Sequence, residues 1–289
     1  LRMICFLFNC GIYAEKKRKV DFYYYFRASK QKSDIMRFRK NYSLILLLFA
    51  VIFSSCRTEK GVTTRVVIIS TNDIHAQISN FPKFATFVKQ IRAENPHVLL
   101  VDGGDRFSGN VYVDNAKEKG KPMFDLMNKV GFQVGNFGNH DFDYGPAVLK
   151  QRMAESQFPL VCANVQAAHS ELGQPEPYEM IDEAGIKFCF LGLIETNAKS
   201  HIPATNPDNL ENITFRYYKE VAAENKALKN QCDVLIGLTH IGYTADSILA
   251  VLMPEFDVII GGHSHTLIEN TRLINHVLVS QTGSNLKYA

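Results

Sequence analysis

The chain has 289 residues, of which 46% are hydrophobic and 21% are charged, so it can bury a sizeable core. Its formal net charge of +3 is unevenly distributed, because the first 55 residues hold 11 of the 32 basic residues and only 3 of the 29 acidic ones. The remaining 21 basic and 26 acidic residues give a net charge of −5 from Cys56 onward. That body lacks the basic footprint of a nucleic-acid-binding protein, which excludes nucleic acid as a partner.

Residues 36–56 have the pattern of an export signal. A basic segment after Met36 is followed by an unbroken apolar run over 44–53 and by small residues that lead to Cys56. This run is too short to span a bilayer, which needs about 20 residues, so a cleaved signal peptide is predicted. Its end resembles a bacterial lipobox, although Phe53 stands where a smaller aliphatic residue is usual. We expect an exported lipoprotein of the periplasm or outer membrane that touches the membrane only through this anchor; a plain secretory signal is the alternative.

The segments around this signal divide the chain further. Residues 1–35 have no period typical of a helix or strand, and they are predicted to be an upstream or disordered extension. Residues 57–64 are predicted to be a polar tether, and residues 65–289 a single folded domain.

Strands and helices alternate through this domain. Apolar runs predict strands at 65–70, 97–101, 158–163, 178–181, 186–194, 233–238, 257–260 and 276–281. Amphipathic patterns predict helices at 82–94, 121–130, 146–156, 215–231 and 245–253. The longest irregular segment, 199–212, contains two prolines and is expected to overhang the functional site. This alternation predicts an α/β fold.

Polar residues follow five apolar runs at the point where each run ends. In α/β sheets, ligands bind at the carboxyl ends of the strands, and carboxylate, amide and imidazole groups hold metals or move protons. Five of the nine histidines fall at these positions, whereas the other four have no such context and are predicted to be structural. The candidates are Asp73, His75, Asp105, Asn139, His140, His240, His263 and His265.

The motifs at these positions resemble those of a known family. Asp-Ile-His-Ala (73–76), Gly-Gly-Asp (103–105), Gly-Asn-His-Asp (138–141), Thr-His (239–240) and Gly-His-Ser-His (262–265) occur in the order typical of calcineurin-like metallophosphoesterases. The Gly-Asn-His-Asp-Phe-Asp-Tyr-Gly stretch (138–145) most resembles the 5′-nucleotidase/UDP-sugar hydrolase branch. The resemblance implies a four-layer α/β/β/α sandwich with two divalent metal ions at one edge.

The resemblance also implies a role for each residue. Asp73, His75 and His265 would bind the first metal, Asn139, His240 and His263 the second, and Asp105 would bridge them. His265 stands where many periplasmic nucleotidases have Gln. His140 and Asp143 match the branch's catalytic pair. Asp141 as the partner of His140 and Asp102 as a metal ligand are alternatives that the residues leave open.

This ligand set fits a phosphoester hydrolase. Mixed nitrogen and oxygen ligands without a thiolate suit Mn, Zn, Fe or Co more than Ca. A water between two such ions would be acidified to a hydroxide that attacks phosphorus, and a carboxylate between the ions would offset their repulsion. His140 would hydrogen-bond to the transition state or leaving oxygen, oriented by Asp143.

The sequence indicates the reaction more clearly than it indicates the substrate. A 5′-nucleotidase-like phosphomonoesterase is the preferred function, and a 2′,3′-cyclic-nucleotide or other phosphodiesterase/UDP-sugar hydrolase is the alternative. A catalytically silent, lipid-anchored binding subunit is a third hypothesis. The nucleotide-binding domain typical of this branch is not expected in the residues after the last motif. Either the sequence is truncated, or a separate polypeptide that carries this domain is a possible partner.

Overall fold

The computed structural model describes residues 6–11 and 19–23 as strand backbone, and residues 64–197 and 199–289 in full. The predicted signal peptide, with Cys56, lies outside these residues. Within the segment 1–35, for which the sequence indicates no strand, β1 (Phe6–Gly11) and β2 (Lys19–Tyr23) pair with each other. Whether this segment belongs to the mature protein stays a prediction. Among the described residues, the helices are all too short or too polar to cross a membrane.

The first sheet is built from the amino-terminal half of the domain. Its order is β2-β1-β3-β4-β5-β6, in which β1 joins β3 antiparallel and the strands from β3 to β6 run parallel. The β-branched run of β3 is buried on both faces, as expected for a parallel strand covered on two sides. The bounds are β3 (Thr64–Thr71), β4 (Val98–Asp102), β5 (Val134–Asn136) and β6 (Leu160–Val161).

The second sheet is built from the carboxyl-terminal half. Its order is β13-β14-β12-β11-β9-β8, with β9, β11, β12 and β14 parallel and the edge strands β8 and β13 antiparallel. A two-stranded pairing of β7 with β10 lies outside both sheets. The bounds are β7 (Val165–Gln166), β8 (Tyr178–Glu183), β9 (Ile186–Ile194), β10 (Thr214–Phe215), β11 (Val234–His240), β12 (Val258–Ile260), β13 (Arg272–Ile274) and β14 (Val277–Ser280).

Alternation of side chains divides the core into three layers. Val66 and Ile68 of β3 pack in one buried cluster with Phe188 and Phe190 of β9, so the two sheets face each other. The opposite face of each sheet packs on helices. These are α1 (Phe81–Glu94), α2 (Val111–Asp114), α3 (Lys121–Val130) and α4 (Gly145–Glu155) in the first half, and α5 (Tyr218–Glu224) and α6 (Tyr243–Leu252) in the second. The predicted α/β/β/α sandwich is confirmed.

Two predicted elements differ in extent from those observed. The helix predicted at 215–231 ends at Glu224, because the side chain of Asn225 donates to the carbonyl of Val221 and caps the last turn; a 3₁₀ segment, Lys226–Asn230, follows. The strand predicted at 158–163 is reduced to β6. Its continuation leaves the first sheet because Cys162 and Ala163 donate instead to the carbonyls of Glu176 and Gly192.

Candidate metal centre

The candidate residues lie at the carboxyl ends of five parallel strands. Three of these strands, β3, β4 and β5, belong to the first sheet and precede Asp73 with His75, Asp105, and Asn139 with His140. The other two, β11 and β12, belong to the second sheet; β11 ends on His240 and β12 precedes His263 and His265. Packing of the two sheets brings these strand ends together, so residues 190 positions apart in sequence make contact.

Several of these residues have an unusual backbone conformation. A positive φ is uncommon for residues other than glycine, and it concentrates at functional sites. Here it occurs at Asp73 (49°), His75 (46°), Asp105 (61°), His263 (79°) and His265 (54°). The backbone is therefore strained where it turns these side chains toward a common point.

A first group of possible ligands forms around the carboxylate of Asp73. Oδ1 of Asp73 lies 3.3 Å from Nε2 of His265 and 3.8 Å from Nε2 of His75. The two Nε2 atoms of His75 and His265 are 2.9 Å apart. One ligand atom from each residue lies within 4.8 Å of the others, which is close enough to hold one cation. Two imidazole nitrogens that face each other across a carboxylate are typical ligands of a transition metal.

A second group forms around the buried His240. Nε2 of His240 lies 3.1 Å from Oδ2 of Asp105 and 3.8 Å from Oδ1 of Asp73. Nδ1 of the same ring contacts the carbonyl oxygen of Gly103 at 2.9 Å, which favours a proton on Nδ1 and leaves Nε2 for a ligand. Nε2 is buried and has no hydrogen-bond partner in the described part of the chain. An orphaned imidazole nitrogen beside two carboxylates fits a metal ion.

Asn139 and His263 extend this second group. Oδ1 of Asn139 lies 2.9 Å from Nδ1 of His263. The amide nitrogen of Asn139 donates to the carbonyl of Ala204, which turns its oxygen toward the centre. The rings of His240 and His263 meet edge to face at 5.3 Å. The segment predicted to overhang the site thus contacts it through Ala204.

The electrostatics of the second group indicate a place for positive charge. Burial alone would lower the pKa of His240, but Asp105 outweighs burial and raises this pKa to about 10. Burial likewise opposes ionisation of Asp105, yet His240 holds the pKa of this carboxyl below its usual range. Burial, together with His240, lowers the pKa of His263 to about 4. The carboxylate of Asp105, 3.1 Å from Nε2 of His240, therefore marks a position that favours a cation.

His140 and Asp143 form a separate pair beside this cluster. Nδ1 of His140 lies 2.8 Å from Oδ2 of Asp143, and this hydrogen bond raises the pKa of His140. Asp143 also accepts hydrogen bonds from the hydroxyls of Ser108 and Thr205. The side chain of His140 is 41% exposed, so the pair lies at the surface of the centre. The backbone N–H of His140 donates to Oδ1 of Asp105, which ties the pair to the cluster.

Asp141 and Asp102, the two alternatives, are bound elsewhere. Both carboxylates are buried against the guanidinium of Arg106, each at 2.8 Å. Asp141 also accepts from the backbone N–H groups of Gly138, Asp105 and Arg106. The side chain of Asp102 accepts from the hydroxyl of Thr71. These carboxylates hold the turns in place, and Asp143 is the one that contacts His140.

Other polar residues next to these strands have structural partners. Asn164 donates to the carbonyls of Ile194 and Arg216 and accepts from the N–H of Ile194. His97, at the opposite end of β4, contacts Glu183 at 2.7 Å. Three supporting contacts are not apparent from the sequence, because their partners are distant in the chain: Arg106 with Asp141 and Ser108 with Asp143 span 35 residues each, and Thr205 with Asp143 spans 62.

Two facing α/β layers with Asp, Asn and His converging at one edge are the arrangement of a metal-dependent hydrolase. The calcineurin-like phosphoesterase family matches residues 66–267. The chain therefore belongs to the calcineurin-like phosphoesterases, a family of metal-dependent phosphoric ester hydrolases. This match covers every candidate residue.

Individual relatives place the chain near the 5′-nucleotidases. It is 30% identical over 247 residues to the trifunctional nucleotide phosphoesterase protein YfkN of Bacillus subtilis, covering 73% of this chain and 16% of that protein. It is 32% identical over 234 residues to a 5′-nucleotidase of Vibrio cholerae, covering 71% and 41%. The crystal structure of YfkN matches with a TM-score of 0.65 at 25% identity, covering 77% of this chain and 82% of that one. The chain spans less than half the length of these curated relatives.

Proposed function

We propose that this chain is a two-metal phosphomonoesterase that acts on nucleoside 5′-monophosphates. The observation that carries the proposal is the convergence of two Asp/His groups that share Asp73. One is completed by His75 and His265, and the other by Asp105 and His240. The solvent-accessible His140–Asp143 pair beside them supports a hydrolytic rather than a purely structural centre.

The proposed ligands divide between two ions. Asp73, His75 and His265 would hold the first ion, Asn139, His240 and His263 the second, and Asp105 both. The donor set favours Mn, Zn, Fe or Co. Two such cations would lower the pKa of a water held at the centre and neutralise the charge of a phosphoryl group.

In this proposal His140 acts on the leaving oxygen. The carboxylate of Asp143 fixes Nδ1 of the ring and raises its pKa, so the Nε2 atom can carry and donate a proton near neutral pH. An ester oxygen that departs from phosphorus needs such a proton. Ser108 and Thr205 hold the carboxylate in the orientation that this step requires.

The substrate class is supported by the names of the relatives. Those names include 5′-nucleotidases of Vibrio cholerae and Bos taurus and a 2′,3′-cyclic-nucleotide 2′-phosphodiesterase/3′-nucleotidase of Haemophilus influenzae. Cyclic nucleotides are therefore the second candidate substrates.

Export remains part of the proposal. The basic segment, the apolar run and Cys56 within residues 36–56 support a lipid-anchored protein outside the cytoplasm. Metabolic labelling with a radioactive fatty acid should mark the wild-type chain and not the Cys56→Ala variant. Labelling of both, or of neither, would contradict the anchor.

A substrate panel tests the function. The metal-free chain should be reloaded with Mn, Zn, Fe or Co and assayed on AMP, 2′,3′-cyclic AMP, UDP-glucose and bis-p-nitrophenyl phosphate. We expect metal-dependent release of phosphate, with kcat/KM highest for AMP. Highest activity on the cyclic nucleotide or the diester would replace the substrate but keep the chemistry. A chain that binds metal and hydrolyses none of these would instead be a binding subunit.

A further inference from the structure

A buried carboxylate that the proposed ligand set does not use lies behind the second group. Asp246 belongs to the first turn of α6 and is fully buried. Its Oδ1 accepts a 2.6 Å hydrogen bond from the hydroxyl of Thr239, the residue before His240. Its Oδ2 is buried and, within residues 64–197 and 199–289, has no hydrogen-bond partner. An ionised oxygen left in this state is costly, so packing alone does not explain an Asp here.

The same carboxylate also lies against the turn that carries His263. A Cβ atom on Gly261 would overlap Oδ2 of Asp246 and approach its Cγ to 3.1 Å. A Cβ on Gly262 would come within 2.7 Å of Nδ1 of His240. Asp246 thus contacts both strand ends: Thr239 of β11, one residue before His240, and Gly261 after β12, two residues before His263. Glycine is needed in this turn because a side chain would displace either the carboxylate or the imidazole.

We propose that Asp246 is a positioning residue of the metal centre, whose carboxylate sets the spacing between the strand ends that carry His240 and His263. The inference rests on the proposed function, since it assigns these two histidines to one metal ion. The negative charge of Asp246 would offset part of the positive charge of an ion held by these two histidines. Outer carboxylates that orient histidine ligands typically change metal affinity by about 10–100-fold.

The behaviour of the group without metal agrees with this role. Burial raises the pKa of Asp246 to about 7, against the hydrogen bond from Thr239 and the charge of His240. The protein by itself therefore stabilises the carboxylate poorly. A cation at the adjacent group would supply the missing charge.

Cobalt binding to the full metal-free chain tests the proposal, because Co²⁺ reports its ligands through visible absorption. Wild type should bind two Co²⁺ ions, and His263→Ala identifies the ion of the second group. Asp246→Asn keeps the shape but removes the charge, and it should weaken that ion about 10–100-fold, change its absorption and leave the other ion unchanged. Thr239→Val should act in the same direction, and it serves if Asp246→Asn does not fold.

Asp257→Asn is the matched control. Asp257 is a largely buried carboxylate that precedes β12 at its opposite end and contacts Lys229. Its loss should lower stability without changing either Co²⁺ affinity. Wild-type affinities in both Asp246→Asn and Thr239→Val would overturn the positioning role, as would an equal loss for both ions. Failure of wild type to bind two ions would instead overturn the proposed function.

Discussion

Nη1 of Arg106 lies 2.8 Å from Oδ2 of Asp141, and both side chains are fully buried beside the centre. Breaking a buried ion pair outright typically costs about 3–5 kcal/mol, but Arg106 would keep Asp102 at 2.8 Å as a second carboxylate partner. Asp141→Asn should therefore lower the free energy of unfolding in urea denaturation, by less than that amount. The exposed pair Arg216–Glu224 provides the control, and Glu224→Gln should change the midpoint little. Equal effects of the two variants would contradict this role for Asp141.

His140→Ala should remove catalysis without removing metal. The imidazole is 41% exposed and is not among the proposed ligands, so metal content and stability should stay at wild-type values. We expect kcat on AMP to fall about 10²–10⁴-fold, as for loss of a general acid. The loss should be smaller on p-nitrophenyl phosphate, whose leaving group needs no proton. His169→Ala, at an exposed position away from the centre, should leave kcat unchanged; a large loss there, or equal losses on both substrates, would refute the role of His140.

Gly138→Ala should disrupt the centre by a steric clash rather than by a change of charge. A Cβ at this position would overlap Oδ1 of Asp105 and lie 2.7 Å from its Cγ. It would also clash with the backbone N of Asp105, so a small shift of the new methyl group cannot relieve the overlap. Asp105 must then move, so the variant should lose affinity for both ions while its far-ultraviolet circular dichroism stays native. Gly237→Ala, in β11, meets its neighbours at ordinary contact distances of 3.4 Å and is the control. Full metal occupancy in Gly138→Ala, measured by elemental analysis, would show that Asp105 is not a shared ligand.

The contribution of Asp246 to the stability of the metal-free protein should decline as pH rises from about 4 to about 7. The folded pKa of Asp246, about 7, exceeds its ordinary value of 3.8. The folded state therefore holds a proton that the unfolded state has lost, and this advantage disappears as pH passes the folded pKa. Each unit of pKa difference is worth about 1.4 kcal/mol. Asp246→Asn should show a smaller decline in urea midpoint; an identical decline in both proteins would disprove the raised pKa.

The sequence predicts the layers, and the same pattern groups the candidate residues at one edge, for one reason. Parallel strands end at a common edge, so Asp73, Asp105 and His240 can be grouped by their position after apolar runs alone. An apolar pattern alone does not locate the end of a helix. The helix predicted at 215–231 ends before Asn225, whose side chain caps it, although the apolar pattern continues.

Contacts between distant segments were not predictable. Asp102, Asp141 and Asp143 are all carboxylates in polar turns, and only the position of the Arg106 guanidinium separates the first two from the third. The positive φ values at Asp73 and His263 follow from the turns that the packed sheets impose. Residue type alone carries no signal for either effect.

The chain order of the two sheets has a further consequence. Asp73, His75, Asp105 and Asn139 come from the first sheet, whereas His240, His263 and His265 come from the second, so neither half of the domain holds a complete set. Ions bound by this proposed set would link the two halves of the domain. Metal binding would then require that the two sheets have already packed together, and a chain in which they have not would be inactive.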